Sequence, residues 1–337
     1  MTSMTWRADP RRIADPFSER VPLLSSRSFS LLGASFEFLS DSPELLVLVD
    51  EAYRDLPAHA LGGPLLRIEL RQAQGGADFG AEPPRACMLG GAGMLGAAAD
   101  AHNIVLISPE TGRAVVQLSR AMLGFPYHAR YEFIEFAVFQ LAARTQGLVA
   151  LHAGCVGMNG AGALLMGESG AGKSTLAMHA MLQGLDFLTE DASFVEPRSL
   201  RLTGVANFLH LRFDSLAWVD DAALRARAEA SPVIRRRSGV EKYELDLRTG
   251  WARLAAEPLR LEHLVFTSPE SVGEGELLQL LDGHEMVERL HLDQAYAIGQ
   301  PGWAEFVEGC SRLHGWEMKR GTHPSEGAEA LRRLLTG

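Results

Sequence analysis

The stretch 162–191, GALLMGESGAGKSTLAMHAMLQGLDFLTED, orders the rest of the chain. Within it Gly167, Glu168, Ser169, Gly170, Ala171, Gly172, Lys173 and Ser174 match G-x-x-x-x-G-K-[ST] at every fixed position. The apolar run 163–166 has strand length, and the glycines let the backbone turn tightly with its N–H groups facing inward. A helix is expected from about Lys173, and its N-terminus adds free N–H groups and a positive dipole end. Together these make a socket for a polyphosphate. Lys173 can reach the β and γ phosphates, Ser174 can ligate Mg²⁺, and Thr175 offers a second hydroxyl. Leu176, Met178, Ala180, Met181 and Leu182 supply an apolar helix face, and Gly184 is the expected stop. A short strand, 187–188, then ends in Thr189-Glu190-Asp191, placing carboxylates where a metal–phosphate site needs them.

Outward from this core, the 337 residues suffice for one large domain or two ordinary ones. Apolar content of 47% with 22% charged residues describes a globular chain. Lys and Arg number 32 against 42 Asp and Glu, and the net charge of −10 argues against broad nucleic-acid binding. No apolar run approaches a membrane span, and the first 17 residues lack the apolar core of a secretory signal. Cys87, Cys155 and Cys310 are scattered and odd in number. That pattern predicts no disulfide framework, a reducing cytoplasmic setting and three small buried hydrophobes.

Patterning divides the chain into four parts: a poorly ordered segment 1–27, an α+β region 28–147, a nucleotide domain 148–300 and a helical segment 301–337. In the α+β region, 29–39 reads as one strand. Ser42-Pro43 opens a helix that Pro57 ends, 64–71 alternates as a strand, and 72–86 is loop. Strands at 103–107 and 113–118 flank a turn. A long amphipathic helix over 130–146 closes at Gly147. The nucleotide domain starts with strand 148–152. Asn159-Gly160 then marks a hairpin that leads directly into the glycine loop. Later strands are expected within 203–212 and at 242–247, 262–267 and 277–281, with helices at 214–227, 284–291, 303–309 and 327–335.

The series His152, hairpin, Gly167-x-Ser169-Gly170-x-Gly172-Lys173-Ser174, Gly184, Glu190-Asp191 resembles the catalytic domain of HPr serine kinase/phosphorylase, a fold related to phosphoenolpyruvate carboxykinase. The resemblance covers 148–196 well and 197–300 loosely. It is strongest to the divergent branch whose members modify ribosomally made peptides, including lasso-peptide precursors. It implies an α/β P-loop kinase domain using ATP and Mg²⁺, with residues 169–175 on the phosphates and Ser174 and Asp191 on the metal. It further implies Glu190 as the general base acting on an acceptor serine, His152 near the reacting phosphoryl group, and assembly as a homo-oligomer. Glu190 is one methylene longer than the family's aspartate. Residues 201–212 lack the family's acidic, glycine-rich second signature, so the resemblance does not carry the phosphorylase reaction or recognition of HPr.

These features predict an ATP- and Mg²⁺-dependent kinase acting on a hydroxyl of a peptide or protein. A small-molecule kinase and a non-catalytic nucleotide sensor stay open. There is no N-K-x-D for guanine and no L-S-G-G-Q-like stretch, which argues against a GTPase and an ABC ATPase. Arg235, Arg236, Arg237 and Lys242 form a basic cluster that can meet phosphate or an acidic peptide, with Lys242 the best single candidate. The region 28–147 is expected to select the substrate.

Overall fold

The computed structural model describes residues 25–337 apart from Ser169, Gly273 and Glu274. The expected disordered segment therefore lies outside the described residues up to position 24, and residues 25–27 already belong to a strand. The protein is a mixed α/β structure whose strands, among the described residues, form sheets of seven, nine and three strands.

The seven-stranded sheet belongs to the N-terminal region. β1 (Ser25–Leu31) and β2 (Gly33–Ser40) are an antiparallel hairpin, where the alternation of 29–39 had predicted one strand. The chain reverses at Leu32 and Gly33, with φ of 51° and 84°. Leu32 is buried, so the turn carries none of the polar residues that mark turns in sequence. α1 (Pro43–Tyr53) crosses over to β3 (Ala60–Ala73), which runs parallel to β2. β4 (Cys87–Gly91) and β5 (Met94–Ala98) form a hairpin in a glycine- and alanine-rich stretch with no alternating pattern. β6 (Ile104–Ser108) and β7 (Arg113–Ser119) complete the order β1-β2-β3-β7-β6-β5-β4.

Two short turns, α2 (Arg120–Leu123) and α3 (Pro126–His128), lead into the predicted long helix. Its first part, Ala129–Glu135, is π-helical, and the rest is α4 (Phe136–Gln146), capped by Gly147 at φ 67°. Phe133, Ile134, Ala137, Val138 and Leu141 point inward as their spacing predicts, in a core shared with Phe36, Phe38 and Tyr53.

The nine-stranded sheet carries the glycine loop. β8 (Val149–Leu151) precedes β9 (Gly154–Met158) and β10 (Ala161–Met166), a hairpin turning on Asn159-Gly160. Both turn residues have positive φ, 53° and 83°, as a two-residue hairpin loop requires. β10 is also parallel to a later strand, β17 (Leu259–Ser271), on its other side. The glycine loop thus leaves a central, buried strand that is antiparallel on one flank and parallel on the other.

α5 (Lys173–Leu182) follows the loop, burying Leu176, Ala177, Met178, Ala180 and Met181. Leu182, expected on the same face, is exposed. Then come β11 (Asp186–Thr189), β12 (Ser193–Glu196) and β13 (Arg201–Thr203).

β14 (Phe208–Arg212) leaves this sheet. It is followed by a 3-10 turn, Phe213–Trp218, and by α6 (Ala222–Glu229). A strand over 203–212 and a helix over 214–227 are therefore each split in two. β14 pairs with β16 (Glu241–Asp246), which in turn pairs with β15 (Val233–Arg235), making the three-stranded sheet.

β17 (Leu259–Ser271), β18 (Leu278–Leu280), α7 (Gly283–Asp293), α8 (Trp303–Cys310), β19 (His314–Arg320) and α9 (Pro324–Thr336) finish the chain. The segment 301–337 is not helical throughout, because β19 joins the large sheet parallel to β17. Its sequence, HGWEMKR, mixes charge and apolar residues too evenly to stand out as a strand.

Alternation along β10 shows how this sheet is covered. Ala163 and Leu165 face a core with α5 and α9, whereas Leu164 and Met166 face a core with α7 and α8. Cys155 and Cys310 are buried as predicted, but Cys87 is exposed on β4.

Packing at the hairpin is close enough to be tested. A Cβ added to Gly157 would lie 2.4 Å from the Ala161 carbonyl oxygen and 2.5 Å from Leu259 Cδ1. Gly157→Ala is expected to destabilise the protein by about 1–3 kcal/mol through backbone displacement, read as a lower urea midpoint at unchanged m-value. An unchanged midpoint would refute this.

Candidate active site

The glycine loop opens on a cavity of about 720 Å³. Residues Gly170 to Leu176 line one wall, and Glu190 and Asp191 line another. Six Lys or Arg residues (Lys173, Arg212, Arg236, Lys242, Lys319, Arg320) and three acids (Glu190, Asp191, Asp214) line it. An acidic chain has thus gathered a cavity whose lining carries more Lys and Arg than Asp and Glu, a local field opposite in sign to the net charge.

Loop shape follows from its glycines. Gly167 has φ 131°, and a Cβ there would sit 2.5 Å from Thr267 Oγ1. Only glycine suits that position on both counts. Lys173, nearly buried, folds back so that Nζ donates to the carbonyls of Gly167 (2.5 Å) and Glu168 (3.2 Å). Ser169 lies outside the described residues. Gly170 accepts a 3.0 Å bond from Arg320 Nη2, which ties the loop to the end of the strand His314–Arg320.

Adjacent residues on a regular strand face opposite ways. β11 ends at Thr189, so Glu190 and Asp191 lie beyond it and both reach the cavity. Their surroundings differ sharply. Glu190 is 6% exposed and both its oxygens are engaged. Oε1 accepts from Ser174 Oγ at 2.7 Å, and Oε2 accepts from the His210 backbone N–H at 2.8 Å and faces His210 Nδ1 at 3.0 Å. Burial alone would raise its pKa. The His210 charge and hydrogen bond, with Lys242 and Ser174, outweigh burial and hold it down at about 2. Burial pulls His210 the other way, yet contacts with Glu190 and Glu244 leave its pKa raised.

Asp191 is more open. Its Oδ1 stands 3.1 Å from His152 Nδ1 and its Oδ2 4.0 Å from Arg236 Nη1. His152 is half-exposed at the end of β8. It is therefore not a core histidine, and it lines the same cavity.

Behind Glu190 runs a buried chain of alternating charge. His210 Nε2 lies 3.2 Å from Glu244 Oε1, Glu244 accepts from Arg130 Nη2, and Arg130 Nε is 3.3 Å from Glu135. Arg130 and Glu135 belong to the π-helical stretch of the N-terminal region, so that region reaches the residues beside the glycine loop.

The basic cluster is divided by its packing. Arg236 turns inward, 3.5 Å from His210 Nδ1 and over the Tyr131 ring. Arg237 instead binds Glu132 and the carbonyls of Pro83 and Pro84, and Arg235 pairs with Glu82 at 3.3 Å. Lys242 lines the cavity, its pKa lowered by burial and by Arg236 against the raising effect of Glu190.

Several of these residues have no motif. His210 and Glu244 are opposite partners in the β14–β16 register, so the alternations FLHLR and KYELD put them on one face only once that register is known. Arg130 is hidden in a stretch read as a core helix. Arg320 is on the strand missed at β19.

Among the described residues no group of three or more His, Cys, Asp or Glu side chains forms a metal cage. Mg²⁺ does not need one, since it takes one or two protein oxygens and completes its shell with phosphate and water. The Ser174–Glu190 pair at the helix N-terminus fits that demand, and the loop with Lys173 fits a polyphosphate. Among the described residues no helix is long and apolar enough to cross a membrane.

No protein-family model matches the chain. No curated protein matches it either. Among solved structures it is similar to the HPr(Ser) kinase/phosphatase from Coxiella burnetii, with 12% identity and a TM-score of 0.25 over 56% of this chain and 87% of that chain. A score that low carries no functional weight.

Proposed function

We propose that the protein is an ATP- and Mg²⁺-dependent kinase that phosphorylates a hydroxyl, a serine of a peptide or protein. The observation that supports this most is the 2.7 Å bond between Ser174 and the buried Glu190. It joins the helix N-terminus to a carboxylate inside a cationic cavity, with the more open Asp191 alongside.

Residues Gly167 to Thr175 hold the phosphates, and Lys173 supplies the charge for their terminal end. Ser174 and Glu190 hold Mg²⁺, which neutralises charge on the transferring group. Asp191 is the general base. It takes the acceptor proton as the acceptor oxygen bonds to the γ-phosphorus and the bridging P–O bond breaks, leaving ADP. His152 orients Asp191, and Arg236 balances charge beside it. This division reverses the roles that the family resemblance implies for Glu190 and Asp191. It is favoured because a carboxylate held near pKa 2 with both oxygens bonded is a poor proton acceptor.

The test is magnesium-dependent transfer of labelled γ-phosphate to candidate peptides, proteins and small hydroxyl compounds. Lys173→Ala is expected to lower transfer by about 10²–10³-fold. Nucleotide binding with no transfer to any acceptor would replace the kinase reading with a sensor.

A further inference from the structure

We propose that Trp218, with His323 behind it, is the platform on which the base of the donor nucleotide stacks; the inference rests on the ATP reading above. Trp218 ends the 3-10 turn Phe213–Trp218, and Thr175 Oγ1 and Ser215 Oγ, 3.4 Å apart, join that turn to the helix following the glycine loop. Trp218 is 43% exposed, and it lines the same cavity as Lys173 and Ser174.

Its ring is backed by other rings. His323 meets it edge-on at 5.5 Å between centroids, and His179 on α5 meets His323 edge-on at 5.1 Å. His323 is itself held by Ser325, whose backbone N–H donates to Nδ1 at 3.2 Å and whose hydroxyl lies 2.6 Å from it. Trp218 is thus packed against His323 while it stays partly exposed where it lines the cavity.

Chemistry assigns the two ends of this space. Lys173, Ser174, Glu190 and Asp191 mark where phosphoryl transfer happens, so the base must lie away from them. Thr175 and Ser215 lead from Ser174 towards Trp218. The cavity's 720 Å³ is in the range that accepts a whole nucleotide rather than a bare triphosphate. An aromatic face offers stacking to a base and nothing specific to an inorganic phosphate chain.

The experiment compares Mg·ATP and Mg·tripolyphosphate binding by calorimetry, using the full chain and its Trp218→Ala and Trp218→Phe variants. Wild type should bind ATP more tightly than tripolyphosphate. Trp218→Ala should weaken ATP by roughly ten- to a hundredfold and leave tripolyphosphate within about twofold, with Trp218→Phe close to wild type. Equal losses for both ligands, or no loss for ATP, would overturn the platform. If Trp218→Ala does not fold, the other two proteins decide: equal wild-type affinities, or a Trp218→Phe that weakens both ligands alike, overturn it. Wild-type protein that binds neither ligand rejects the ATP reading itself, whereas equal wild-type affinities reject only the base platform.

Discussion

Asp191→Asn is expected to lower kcat for phosphoryl transfer by about 10²–10⁴-fold, the usual contribution of a positioned base, with nucleotide affinity unchanged. The amide keeps the size and the contact with His152 but cannot accept the acceptor's proton. Glu190→Gln should behave differently. Its carboxylate lies against Ser174 Oγ and faces His210 on its other side, so loss of the charge should raise the Mg²⁺ concentration needed for half-maximal activity. Steady-state kinetics over a magnesium titration separates the two. If Glu190→Gln lost kcat at an unchanged Mg²⁺ requirement while Asp191→Asn kept its rate, the roles would be those implied by the resemblance.

The second large effect is on stability. Arg130 lies between Glu244 and Glu135, and all three side chains are almost fully buried. Arg130→Met takes the cation from buried Glu135 and leaves Glu244 with His210 alone. Breaking one side of such a network costs about 3–5 kcal/mol, readable as a fall in the urea midpoint. A loss below about 1 kcal/mol would mean that water already relieves these carboxylates.

The same chain sets a pH range. Glu190 is depressed to about 2 from 4.5, so its contribution is present above pH 4.5 and is lost as pH falls through the folded value. His210 is raised above 6.5, so its contribution is full below pH 6.5 and is lost as pH rises through its folded pKa. The stability from this pair is therefore greatest between about pH 4.5 and 6.5.

Local chemistry explains which parts of the protein were legible. Asn159-Gly160 needs no tertiary context to turn a hairpin, since positive φ at both positions is intrinsic to those residues. The helix after Gly172 and the inward face of residues 133–141 follow from spacing alone. The turn at Leu32 was hidden because it is buried among apolar neighbours. β19 and the β4–β5 hairpin were hidden because their identity as strands comes from pairing with distant partners.

The site divides along the same line. Lys173, Ser174, Glu190 and Asp191 are close in the chain around one loop, and their residue types alone raise the expectation of a phosphate and metal centre. Sequence by itself determined that much, together with the mixed α/β class. Which carboxylate is buried and which is open was decided by tertiary structure, because β11 ends at Thr189 and His210 arrives from a separate sheet. Tertiary structure also brought Arg236, Arg130 and Trp218 to this region, through strand register and helix packing that act between residues far apart in the chain.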